Sequence, residues 1–138
     1  MRRALIIIGL CALTAVALTV WAQAPADLSD TMKNVNSTNQ SLQKNIQANM
    51  PAAAAADAEK LQKLFGDASA FFKSKKIEKA AGWASDASKT AGEAAKAGKA
   101  KDSEALKAAA TKVGEACKSC HQVYREKAAD GSFKLKTQ

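Results

Sequence analysis

Five residues near the C-terminus constrain this chain more than any other stretch: Cys117-Lys118-Ser119-Cys120-His121. Two cysteines three positions apart, followed at once by histidine, form the attachment pattern of c-type haem. The chemistry accounts for the spacing. On a helix, residues i and i+3 share a face, so both thiols can reach the two vinyl groups along one porphyrin edge and form thioethers. His121 then turns its imidazole toward the iron as proximal ligand. Two other readings fit less well. A dithiol redox pair needs no histidine and usually sits near a βαβ pattern. A zinc site needs a fourth ligand, and apart from Cys11 the chain has no other Cys or His to offer.

The N-terminus reads as an export signal covering residues 1–22. Arg2 and Arg3 form a positive start, Ala4 to Val20 is apolar throughout, and small residues follow. Cleavage after Ala22 leaves Gln23 first. Cleavage after Ala24 also fits an A-x-A pattern, but it would leave Pro25 first, which signal peptidases disfavour. The alternative is a retained anchor, for which the apolar run is barely long enough. Cys11 lies inside this run and is discarded with it, so the mature cysteines are Cys117 and Cys120. Export to the periplasm suits the motif, because covalent haem is normally attached outside the bacterial cytoplasm. Losing residues 1–22 removes two arginines and no acid, which lowers the formal charge from +8 to +6.

The remainder, residues 23–138, is one domain's worth of chain. It is rich in alanine and poor in aromatics, with few glycines and prolines, which argues for helices. Four are expected. The first runs from about Ala26 to Ala48, capped by Asp27 or Ser29. Its seam is Leu28, Met32, Val35, Asn39, Leu42 and Ile46, a heptad pattern in which Asn39 is a register-setting amide. Pro51 opens the second helix, which runs to about Lys73. The third runs from about Ile77 to Ala97, with an alanine seam and Gly98 as its stop. The last starts at Asp102 or Ser103 and runs to about Ala129. Residues 132–138 show no clear structure. Short connections favour antiparallel neighbours, so the expected fold is all-α: an up-down-up-down four-helix bundle with covalent haem near one end.

Export signal, four helices and CxxCH near the C-terminus, followed by Tyr124 and Arg125, together resemble the class II c-type cytochromes, the cytochrome c prime family. The resemblance covers roughly residues 26–127, and its sharp part is Cys117 to Arg125. In an antiparallel bundle, the start of the first helix shares the His121 end, as do Phe65, Phe72, Ile77 and Trp83. Met50 lies about 27 Å of helix away from Met32, so only Met32 is placed to be a sixth ligand. Taken alone, Met32 could equally be a flexible core filler. The resemblance implies ligation, because in the low-spin branch of the family a methionine at about this place on the first helix binds the iron. In the high-spin branch an apolar non-ligand fills that space. The family also implies a basic residue beside the proximal histidine, here Arg125, whose bland alternative is a salt bridge. The chain departs from the family at Leu28, where an arginine often stands near a propionate. Lys33, Lys79 or Arg125 would have to serve instead. Tyr124 reads as core packing.

Two functions follow. The first is a single-electron carrier, not an enzyme, with one covalent haem c ligated by His121 and Met32; thioether ligation raises the potential. The second is a five-coordinate haem protein that binds NO or CO. Lys73, Lys75, Lys76, Lys79, Arg125 and Lys127 gather at the haem end and could steer a redox partner with an acidic docking surface. No nucleic-acid motif is present, and no stable membrane insertion is expected after cleavage. The resemblance allows a monomer or a homodimer.

Overall fold

The computed structural model describes residues 27–136. The expected export signal, its two candidate cleavage positions and Cys11 lie outside the described residues. Four helices follow one another: α1 (Leu28–Gln47), α2 (Pro51–Ser74), α3 (Glu78–Lys99) and α4 (Ser103–Tyr124). Two short strands close the chain, β1 (Arg125–Lys127) and β2 (Phe133–Leu135).

The helix ends follow from local chemistry. The Asp27 carboxylate caps α1 by accepting from the Ser29 N–H at 2.9 Å, and Asp102 caps α4 by accepting from the Ala105 N–H at 3.0 Å. Pro51 fills the first turn of α2, where no backbone donor is needed. The three turns between helices are built alike. At the end of α1 the Met50 N–H reaches the Asn45 carbonyl at 2.8 Å and the Asn49 N–H reaches that of Ile46 at 3.1 Å. Ile77 with Lys76, and Asp102 with Lys101, repeat this pair at the ends of α2 and α3. This is the Schellman motif, with the residue after the cap in the left-handed region. Those residues are Asn49 (φ 54°), Lys76 (φ 59°) and Lys101 (φ 57°). The next residue in each turn already begins the following helix, which forces the two helices into an antiparallel hairpin.

Gly98 was expected to end α3 and does not. It lies inside the helix and is buried, and Lys101 takes the left-handed position. A Cβ on Gly98 would meet the Ala55 Cβ and the Pro51 carbonyl oxygen, each at 2.9 Å. The glycine therefore serves close approach of α2 and α3 rather than a turn. That approach runs the length of the pair. Ala80, Ala84, Ala87, Ala91 and Ala94 on α3 face Ala54, Ala58, Leu61, Phe65 and Ala68 on α2, and all are buried. Two hydroxyls cross the same interface: Ser69 donates to the Ala81 carbonyl at 2.9 Å and Ser88 to that of Gln62 at 2.7 Å. α1 packs on α2 and α3 on α4, whereas α1 and α4 meet far more loosely. The bundle thus has one open edge.

The core divides into two apolar clusters along the bundle axis. One holds Val35, Leu42, Leu61, Phe65, Leu106 and Val113, with Cys117 at its margin. The other holds Phe72, Ala80, Ala84 and Tyr124, with Leu28, Met32, Ile77, Trp83 and Cys120 packed against it. Residues from the start of α1 and α3 and the end of α2 and α4 meet there, as an up-down-up-down order requires. On α1 the buried positions include Thr31 and Thr38 as well as Val35 and Leu42, so the inward face is rotated toward the threonines. Asn39 is half-buried.

α4 stops five residues before the expected end, and the tail is structured. Arg125 caps the helix in an extended conformation, and β1 pairs antiparallel with β2, Lys127 opposite Phe133 and Arg125 opposite Leu135. Asp130-Gly131, with Gly131 at φ 83°, makes the connection. The Lys136 N–H donates to the Tyr124 carbonyl at 2.7 Å, and Leu135 joins the second cluster. Arg-Glu-Lys-Ala-Ala has good helix propensity, but docking Leu135 overrides it.

Two glycines should respond in opposite ways to alanine. At Gly98 the added methyl overpacks the α2/α3 interface and should cost about 1–3 kcal/mol. At Gly82, exposed on α3, a Cβ meets nothing within 4 Å, and the gain in helix propensity should stabilise by about 0.5–1 kcal/mol. Urea unfolding of the two variants checks both signs.

Candidate functional site

The residues singled out in the sequence meet at one end of the bundle. Cys117 and Cys120 are free thiols, half-buried, one turn apart on α4. Burial pushes both thiols above the ordinary cysteine range, and Cys120 is raised further by its neighbour Cys117. They are therefore protonated at neutral pH and packed as small apolar groups. Cys117 borders the first core cluster and Cys120 the second, so the pair spans the boundary between them.

His121 is also half-buried, in the last turn of α4. Burial, with the nearby Arg125 guanidinium second, holds its imidazole below the usual histidine range. The ring is thus neutral near pH 7, the form that ligates metals. Arg125 Nη1 lies 3.3 Å from His121 Nδ1. Arginine has only donors, so Nδ1 accepts and the ring proton belongs on Nε2. Arg125 reaches the ring from β1, not from a continuing helix. Its Cζ stands 3.5 Å from the centre of the Phe133 ring on β2.

Met32 is half-buried in the same apolar cluster as Cys120 and Tyr124. Met50 is 52 % exposed at the other end, where it lines a small cavity with Ile46, Pro51 and Leu106. The antiparallel order therefore separates the two methionines as expected. Tyr124 packs edge-on to Trp83 with ring centres 5.9 Å apart, and Leu28 contributes only apolar surface. Of the three candidate propionate partners, Lys33 is exposed and pairs with Asp30 at 3.1 Å. Lys79 lies over the Trp83 ring at 5.0 Å, and Arg125 is held as described. Among the described residues no three His, Cys, Asp or Glu gather to hold a metal ion, and no helix is long and apolar enough to cross a membrane.

The residues that sequence reasoning missed are Phe133 and Leu135. The available signal was Asp-Gly ahead of the alternating Ser-Phe-Lys-Leu, a hairpin pattern. Two polar atoms, Thr38 Oγ1 and Asn39 Oδ1, are buried without a partner among the described residues. Asn39 lies two turns from Met32 on the same side of α1. Comparison of the chain with family models, with curated proteins and with solved structures returns no match.

Proposed function

We propose that this chain is an exported class II c-type cytochrome, a single-electron carrier with one covalent haem c, working in the periplasm. One observation carries the reading. Two free, half-buried thiols one helical turn apart share a bundle end with a neutral imidazole and a half-buried thioether. That donor set suits a porphyrin, and the loose α1/α4 edge is where a large flat apolar body can enter.

Each residue then has a task. The Cys117 and Cys120 thiols would hold a haem covalently, as thioethers to its two vinyl groups. His121, kept neutral by burial and by Arg125, would supply a nitrogen ligand to the iron. Met32, brought to the same end by the antiparallel α1, would supply a sulfur ligand. Phe72, Tyr124 and Ala84 keep water from the buried side. Bound there, haem supplies a one-electron couple, and the chain needs no substrate site. Lys73, Lys75, Lys76 and Lys79 flank the α2–α3 turn at this end and suit an acidic redox partner. The second reading, a five-coordinate haem that binds NO or CO, draws on the packing of Met32 among apolar side chains, as core filler would sit.

Replacing Cys117 and Cys120 together with alanine should abolish covalent haem, read as the mass of the denatured chain. The alanine core should then close poorly, with reduced helicity and melting temperature. Haem still covalently held in the double variant would end this reading.

Met32→Ala decides between carrier and gas binder. If the thioether ligates iron, the variant should change from low-spin to high-spin, its potential should fall, and CO should bind quickly where the parent binds slowly. Truncation alone should cost roughly 2–5 kcal/mol. A parent that is already high-spin and takes CO readily makes Met32 core filler and the gas-binding reading correct.

Charge reversal at Lys75 and Lys76 should slow oxidation by anionic hexacyanoferrate at low salt, with the difference fading as salt rises. Reversal at Lys96 and Lys107, at the far end, should do much less. Equal effects would leave net charge as the only factor.

A further inference from the structure

The C-terminal hairpin touches the candidate ligand through one side chain. Arg125 leaves the end of α4 on β1, is exposed to water, and has no carboxylate partner among the described residues. A long exposed cation normally samples many rotamers. Here two contacts hold it. Nη1 lies 3.3 Å from His121 Nδ1, and Cζ lies 3.5 Å from the centre of the Phe133 ring. The guanidinium thus meets the imidazole edge-on through Nη1 and the Phe133 ring through its face. The hairpin that carries Phe133 is itself fixed to the body: Leu135 packs into the cluster holding Met32 and Cys120, and the Lys136 N–H binds the Tyr124 carbonyl. Phe133 is 54 % exposed. A ring left that exposed contributes little to the core, and it stacks on Arg125 instead.

We propose that Phe133 is a positioning residue for His121, acting through Arg125: the hairpin keeps a cation against the proximal imidazole. This rests on the haem reading for its consequence but not for its geometry. With Nε2 turned to iron, Nδ1 carries the ring proton, and Arg125, which has only donors, can no longer hydrogen-bond it. The stack on Phe133 is then what keeps the charge nearby. A positive charge beside the proximal ligand disfavours the ferric state relative to the ferrous, so the clamp raises the reduction potential.

The test compares Phe133→Leu, Phe133→Tyr and Lys134→Ala in the full chain, produced with haem-attachment machinery and labelled with nitrogen-15. Phe133→Leu keeps an apolar side chain but removes the ring face. Phe133→Tyr keeps the ring. Lys134→Ala breaks the Lys134–Glu126 pair of the same hairpin, 3.2 Å long, and leaves the stack. In the parent, the Arg125 ε-proton should be shifted upfield by the ring current. Phe133→Leu should move that signal and the His121 ring nitrogens, whereas Phe133→Tyr and Lys134→Ala should leave both in place. The reduction potential should fall in Phe133→Leu and in Arg125→Gln, and should fall no further when the two are combined, because they act through one cation. His121 signals unmoved by Phe133→Leu, additive potential changes, or a Lys134→Ala effect equal to that of Phe133→Leu would each overturn the proposal. The mass of the denatured chain reports haem separately. If no haem is attached, the haem reading fails with the potential arm, while the Arg125 and His121 signals still decide whether the clamp exists.

Discussion

The close approach of α2 and α3 is the constraint on which the rest of the bundle depends. Alanine after alanine on α3 meets α2, and at Gly98 the two backbones are near enough to exclude even a methyl group. Such an interface is tight but shallow. It buries little apolar area per residue, so it sets the helix spacing without supplying much hydrophobic free energy. Larger side chains are few, and Leu42, Leu61, Phe65, Leu106 and Val113 carry most of the burial in one half of the molecule. In the other half, among the described residues, Phe72 and Tyr124 are the only large side chains that are buried. The end of the bundle that holds Cys120, His121 and Met32 is therefore the end with the less complete core. On the proposed reading that shortfall has a purpose, since a covalently held apolar body would complete it.

The three like-built turns fix which residues can meet. Each uses a left-handed residue and passes at once into the next helix, so α1 and α4 must lie side by side at the edge that α2 and α3 leave open. Nothing in the spacing of Met32 relates it to Cys120, because they are far apart in the chain. The turns relate them. Lys76 and Lys101 accept a backbone conformation that glycine would take at lower cost, and both carry positive charge at a helix C-terminus, where it is favourable.

Helix order and the thiol–imidazole constellation were legible in the sequence because each rests on local rules. Pro51, Asp27 and Asp102 mark helix starts by their own chemistry, and Cys117, Cys120 and His121 are placed by helical spacing. The errors have physical causes too. Gly98 resembles a helix stop, yet a glycine also permits close approach, and only the neighbouring α2 decides between the two. Thr31 and Thr38 lie off the expected seam yet are buried, because their methyl groups suit a buried face. The tail was misread because residues 125–129 favour a helix locally, while a contact distant in sequence, Leu135 on the second cluster, makes them a strand. Arg125 reaches His121 all the same, by a different backbone route.

That route gives His121 a cover from the hairpin. The hairpin lays Arg125 and then Phe133 against the ring, a polar and charged cover held by backbone pairing. Met32 lies in the apolar second cluster at the same end of the bundle, where α1 and α4 leave a loose approach. A charged cover and an apolar approach pull the chemistry of one imidazole in separable ways. The cover sets the electrostatic environment of His121, because the Arg125 cation stands beside the ring. On the proposed haem reading, the approach would decide whether the iron takes the Met32 thioether or a small neutral molecule in its place. The hairpin and α1 are distant in sequence and meet in the second cluster, through Leu135, Leu28 and Met32. On the proposed haem reading, variation in the hairpin would tune potential without altering ligation, and variation in α1 would alter ligation without moving the cation.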